Sequence, residues 1–159
     1  MMKFMDLYSV IKTIHIISST VLFGTGLGIA FFMFRSCFTQ NIHEKFYAIR
    51  TTVLADCLFT APAVIIQPLS GAWLMMHGGF NWADKWLVAT YALYLVAGVC
   101  WLPVVWIQIR LKQILQSCAS NDVPLPESYH KLFRLWFILG WPAFTGLVIV
   151  FFLMVMKPI

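Results

Sequence analysis

Two ionisable side chains lie inside stretches that are otherwise apolar and long enough to cross a membrane. His15 lies near the start of the segment 14–34, which contains no Asp, Glu, Lys or Arg, and Asp56 lies near the start of a second apolar segment. An ionisable group at membrane depth is costly unless it has a partner, so each of the two marks a candidate functional site. An imidazole can hydrogen-bond, carry a proton or ligate haem iron, and a carboxylate can exchange a proton.

The sequence allows three interpretations of His15: an interhelical hydrogen bond to a Ser, Tyr or Gln, the axial ligand of a haem b iron, or a step in a proton relay. On a helix that turns 100° per residue, His15 shares a face with Ser18, Ser19, Leu22 and Gly26. Small side chains on that face leave room for a flat macrocycle. Ser19 and Gly26 are therefore candidate cofactor-binding residues beside His15.

Asp56 begins a stripe of polar side chains on the second apolar segment. Thr60, Gln67 and Ser70 fall within about 40° of the same line on an ideal helix. Polar side chains inside a membrane span usually face the interior of the bundle, so we expect the stripe to face His15.

Two interpretations of Asp56 are open. Because it lies near a helix end, it can be an interfacial carboxylate that reaches water or pairs with Arg50 or Arg110. Alternatively it is a proton-accessible catalytic carboxylate at the mouth of the stripe. Lys85 is either an interfacial anchor or a catalytic and ligand-binding cation, and His77 is either a turn residue or a second cofactor-binding group.

Composition places these residues in a membrane. The chain has 159 residues, of which 61% are hydrophobic and 11% charged, whereas soluble domains carry about 25% charged residues. The sequence predicts an all-α membrane protein, a single domain over 1–159 in the lipid bilayer. It is a bundle of four transmembrane helices at about 8–34, 52–76, 86–109 and 135–156, with a kink or unwound turn near Pro62 and Pro68. The scattered basic residues exclude a nucleic-acid partner.

Gly24 and Gly28 form a GxxxG pair on the first span, on the side opposite His15. Such pairs allow two helix backbones to approach closely, so we expect this face to pack against another helix. The same face supports a homo-oligomer or a non-enzymatic membrane scaffold as the alternative to a redox function.

Loop charges predict the orientation. The side with both termini carries four Lys or Arg residues and the opposite side carries seven, namely Arg35, Lys45, Arg50, Arg110, Lys112, Lys131 and Arg134. The richer side should be cytoplasmic, so both termini should lie on the periplasmic face of a bacterial inner membrane. His15, His77 and Lys85 then lie toward the outer face, and Asp56 toward the cytoplasm.

Several stretches resemble a family of predicted bacterial integral membrane proteins of unknown function. They are LFGTGLGIAFFMFR at 22–35, QPLSGAWL at 67–74, WLPVVWIQIRLK at 101–112 and GWPAFTGLVIVFFLMVMKP at 140–158. The resemblance covers nearly the whole chain and implies a multi-pass inner-membrane protein of four helices.

A second resemblance rests on shorter stretches. IKTIHII at 11–17, SGAWL at 70–74, the Trp82-x-x-Lys85 segment and VMKP at 155–158 are similar to HemJ-type protoporphyrinogen IX oxidases and CopD-like membrane proteins. This resemblance implies haem b as cofactor, with His15 and Lys85 at the matching positions. It also implies a redox role in which porphyrinogen oxidation is linked to a quinone.

Overall fold

The computed structural model describes residues 2–158, with side chains from residue 6 onward, and that part of the chain is helical without strands. The helices are α1 (Met2–Arg35), α2 (Ile42–Ala55), a π-helical turn (Asp56–Thr60), α3 (Ala61–His77), α4 (Lys85–Asn121) and α5 (Glu127–Met156). Four helical segments are long and apolar enough to cross a membrane, because α2, the π turn and α3 form one continuous segment, Ile42–His77. The predicted all-α bundle of four spans is confirmed.

The second span is irregular just before its first proline. In the π turn the amide N–H of Ala61 donates to the carbonyl of Asp56, five residues earlier. Pro62 occupies the first turn of α3, where its missing N–H is tolerated, and Pro68 lies inside α3. The predicted irregularity is therefore a π turn N-terminal to the prolines.

The helices are longer at one end of the bundle than the sequence predicted. The sequence predicts a second span at about 52–76 and a third at about 86–109, but α2 begins at Ile42 and α4 continues to Asn121. Ile49, Leu111 and Leu115 are almost fully buried there and pack in one core cluster with Tyr129. Their periodic apolar contacts extend the helices, because burying those side chains stabilises the extra turns.

α1 packs along α3, and α4 packs along α2 and, over most of its length, along α5. Contact between α1 and α5 is sparser. Three ring pairs join these helices between described residues: Phe23 pairs with Phe144 at 5.1 Å and with Phe151 at 5.4 Å, and Phe34 pairs with Phe137 at 6.3 Å between centroids. The first and last helices are thus in close contact at only a few points among the described residues.

The expected close packing of Gly24 and Gly28 against another helix of the chain is wrong. A β-carbon built at either glycine would meet no described atom within 4 Å. Gly24 is exposed. This face of α1 is therefore open within the chain, and a contact with a second copy stays a prediction.

Candidate functional site

A cavity of about 340 Å³ lies at the centre of the bundle, between α1, α4, α5 and the π turn with the start of α3. This volume lies within the range of small-molecule sites, about 300–1,000 Å³. Most of its walls are aliphatic, aromatic or glycine, and Asp56, Thr60 and Gln108 are the polar exceptions beside Tyr94 and the indoles. We refer to it as the central cavity.

Asp56 lies in the wall of the central cavity and not at the membrane interface. Its side chain is 4% exposed, and no described residue forms an ion pair with it. Arg50 lies over aromatic rings of its own helix, and Arg110 donates to Gln113. The interpretation of Asp56 as a carboxylate that reaches water or pairs with Arg50 or Arg110 is therefore wrong.

Five side-chain polar atoms in the wall of the central cavity are buried without a hydrogen-bond partner of normal geometry among the described residues. Thr60, Gln108 and Trp101 lie beside the carboxyl group as its potential hydrogen-bond partners, and Asp56 Oδ2 has no bond of normal geometry among the described residues. The unpaired atoms in residues that line the cavity are Asp56 Oδ2, Thr60 Oγ1, Trp101 Nε1, Gln108 Oε1 and Trp136 Nε1. Buried polar groups in native proteins are nearly always paired, so these atoms are available to pair with a ligand or, by small movements, with one another.

His15, Gln67 and Ser70 form a second polar group, the His15 cluster, between α1 and α3. His15 Nδ1 lies 2.8 Å from Ser70 Oγ, and Gln67 Nε2 donates to the His15 carbonyl at 3.0 Å. Ser70 Oγ also donates to the Ile66 carbonyl at 2.6 Å. A hydroxyl has one hydrogen, so when Ser70 donates it to the Ile66 carbonyl, Ser70 Oγ accepts from the Nδ1–H tautomer of His15, in which Nε2 is the ring acceptor. Gln67 and Ser70 face His15 as predicted, and an interhelical hydrogen bond is present. The other half of the predicted stripe does not face His15, because Asp56 and Thr60 line the central cavity.

The His15 ring packs closely on α3. A β-carbon added at Gly71 would lie 3.2 Å from His15 Cε1, so glycine is what lets the imidazole sit against the backbone. The ring is half-buried. Its position is therefore fixed by a hydrogen bond on one edge and by backbone contact on another.

The other predicted site residues are spread over the bundle. Ser19 Oγ donates to the Ile16 carbonyl of its own helix at 2.7 Å. Gly26 lines the central cavity, about 16 Å along α1 from His15. His77 stacks on Trp73 with ring centroids 4.1 Å apart, and Lys85 is exposed at the start of α4. The structure thus brings Gly26 and Asp56 to one cavity and leaves His15, Ser19, His77 and Lys85 outside it.

Three residues of the central cavity are not among the site residues that the sequence predicted. Gln108 is 1% exposed, and the indoles of Trp101 and Trp136 bring donors to the same cavity. The two tryptophans resemble ordinary apolar residues of a membrane span. Gln108 could have been predicted as a site residue, because an amide inside an uncharged apolar segment needs a partner.

The comparisons with known proteins bear on family and not on activity. No curated protein and no solved structure matches the chain. A family model described as "Predicted integral membrane protein (DUF2269)" matches residues 9–158. With four helices able to span a membrane and a match over nearly its whole length, the chain belongs to this family of predicted integral membrane proteins.

Proposed function

We propose that the protein binds a quinone in the central cavity and that Asp56 is the proton-exchanging group at its ring. The observation that carries the proposal is the set of unpaired buried donors and acceptors in an otherwise apolar cavity. A ligand for this cavity must be largely apolar and must carry polar atoms that pair with both kinds of group.

A quinone and its quinol together match these requirements. The two carbonyl oxygens of a quinone accept hydrogen bonds, and the indole N–H groups of Trp101 and Trp136 supply donors. The two hydroxyls of a quinol donate, and Asp56 Oδ2 and Gln108 Oε1 supply acceptors. The cavity therefore offers partners to both redox states of one ring.

The charge of Asp56 favours the same ligand class. A buried carboxylate without a cation is expensive, so it is neutralised by a proton or by a ligand. A protonated Asp56 donates to a quinone oxygen, and an ionised one accepts from a quinol hydroxyl. A lipophilic cation would pair with Asp56 but would leave both indole N–H groups unpaired.

The test is calorimetric titration of the purified protein in detergent micelles with decylubiquinone. We expect saturable binding, weakened about fivefold by Trp101→Phe, because one hydrogen bond contributes about 1 kcal/mol. The matched control is Trp106→Phe, the same change on the same helix at an exposed residue outside the cavity. Absence of binding by the parent protein, or equal loss in both variants, would overturn the proposal.

Haem b at His15 is a second proposal, favoured by the bond between His15 and Ser70. A metal-ligating histidine usually donates its other ring N–H to an oxygen, and Ser70 Oγ offers such a partner to the Nδ1–H tautomer of His15, in which Nε2 keeps its lone pair. Haem would supply one-electron chemistry to the protein. Lys85 and His77 lie at the same end of the bundle and are the candidates to interact with its propionates.

A reduced-minus-oxidised spectrum tests this second proposal. Protein produced with ample haem should show a Soret band that His15→Ala removes. The control is His130→Ala, because His130 is exposed at the other end of the bundle. A colourless parent, or a Soret band unchanged by His15→Ala, would remove haem at His15 and leave the quinone proposal intact.

We place the protein in the bacterial inner membrane with both termini periplasmic, supported by the excess of Lys and Arg on the opposite side. A porphyrinogen as electron donor has support from the sequence resemblance alone. The open Gly24 and Gly28 face supports the alternative of a homo-oligomer or a scaffold.

A further inference from the structure

The central cavity meets the outside of the bundle between α1 and α5. The ring pairs Phe23–Phe144 and Phe34–Phe137 join these two helices at separate heights. Between Phe23 and Phe34, the cavity-lining residues of α1 extend as far as Ala30. Between Phe137 and Phe144, the cavity-lining residues of α5 include Gly140. The two ring pairs therefore frame a gap about 10–16 Å high.

The most exposed part of the cavity wall lies at this gap. Of the residues that line the central cavity, the exposed ones all belong to α1 or α5: Leu27, Ala30, Phe137 and Trp141. The wall opposite them carries the buried polar residues Asp56 and Gln108. Since the gap lies within the apolar parts of both helices, it faces lipid tails and not water.

Glycines keep the gap open. Gly26 on α1 and Gly140 on α5 line the cavity between the two ring pairs, and a β-carbon at either would meet no described atom within 4 Å. A larger side chain at these positions would occupy the cavity without displacing a neighbour.

From these observations we infer that the cavity exchanges its ligand with the bilayer through a lateral window between α1 and α5. Gly26 and Gly140 line this opening, and the isoprenoid tail of a quinone lies against them. The inference rests on the proposed quinone site, and it adds where the tail leaves the protein. The ring lies against Asp56, Trp101 and Gln108, and the tail passes between the helices into the lipid.

The window is tested with Gly26→Leu and Gly140→Leu, titrated with decylubiquinone and with its tail-less ring analogue. We expect each variant to lose about tenfold or more in affinity for decylubiquinone and to keep the affinity for the tail-less ring within about threefold. Gly24→Leu is the matched control, because Gly24 is equally open but does not line the cavity. We expect it to bind both compounds like the parent.

The outcomes separate the window from the quinone site. If the parent binds neither compound, the proposed function fails. If the parent binds decylubiquinone and the Gly26 and Gly140 variants bind it equally well, the window is wrong and the quinone site stands. Equal loss in Gly24→Leu would also reject the window. Should a leucine variant fail to fold, Gly26→Ala and Gly140→Ala place a smaller side chain at the same points and should give a smaller loss in the same direction.

Discussion

The His15 cluster and the polar groups of the central cavity both include residues of the second membrane-spanning segment, yet they differ in how their atoms are paired. In the His15 cluster, Ser70 and Gln67 both find partners on α1. Around the cavity, Asp56 and Gln108 each keep a buried oxygen without one. Polar atoms paired across two helices hold those helices together, whereas unpaired atoms around a cavity are available to a ligand.

The largest effect should come from removing the unpaired carboxyl group. We expect Asp56→Leu to abolish decylubiquinone binding and to raise the free energy of unfolding by about 1–3 kcal/mol, because it removes a buried polar group that has no partner. Calorimetry and thermal unfolding in micelles measure the two effects. Asp56→Asn is the control that keeps a polar group and should not stabilise. A loss of stability in Asp56→Leu would show that the carboxyl group is paired in the membrane, as the atoms of the His15 cluster are.

A smaller effect of opposite sign should come from the His15 cluster. Ser70→Ala removes the oxygen that accepts from His15 Nδ1, and we expect it to lower the free energy of unfolding by about 0.6–1.7 kcal/mol. Decylubiquinone binding should not change. Ser19→Ala is the matched control, since the Ser19 hydroxyl bonds a carbonyl of its own helix. Equal stability of the two variants would argue that the His15 bond does not hold α1 to α3.

The accessibility of Cys37 tests the predicted orientation, in which the His15 cluster lies nearer to the periplasm and Asp56 nearer to the cytoplasm. Cys37 lies in the exposed connection after α1, on the side that we predict to be cytoplasmic. A membrane-impermeant maleimide should therefore label Cys37 only after the cells are permeabilised, with Cys37→Ser as control. Burial raises the pKa of the Cys37 thiol, and the positive charge of Lys45 offsets this only in part, so labelling should be faster at alkaline pH than at neutral pH. Labelling of intact cells would place the termini in the cytoplasm and exchange the sides of the two regions.

The sequence predicted the four spans and the inward polar stripe because both follow from side-chain polarity along one helix. It also named Ser as a partner for His15, since hydroxyls are common interhelical partners. The central cavity could not be predicted, because it depends on which faces of α1, α4 and α5 meet. Gln108 and Trp136 join Asp56 only through that packing. Gly24 and Gly26 show the same limit: the sequence places them on different faces of α1, but only packing decides that Gly26 lines the cavity and that Gly24 does not.

The π turn at Asp56–Thr60 amounts to one residue inserted into an otherwise regular helix. One extra residue rotates everything before it by about 100° relative to everything after it. Without that insertion Asp56 would share a line with Ser70 and would point toward α1, but with it Asp56 lies beside Gln108 and Trp101 of α4. Deleting a single codon within 56–60 would therefore leave a membrane-spanning helix of normal composition and remove the carboxyl group from the cavity. The proposed site therefore depends on the rotation of one helix segment about its axis as much as on the identity of its residues.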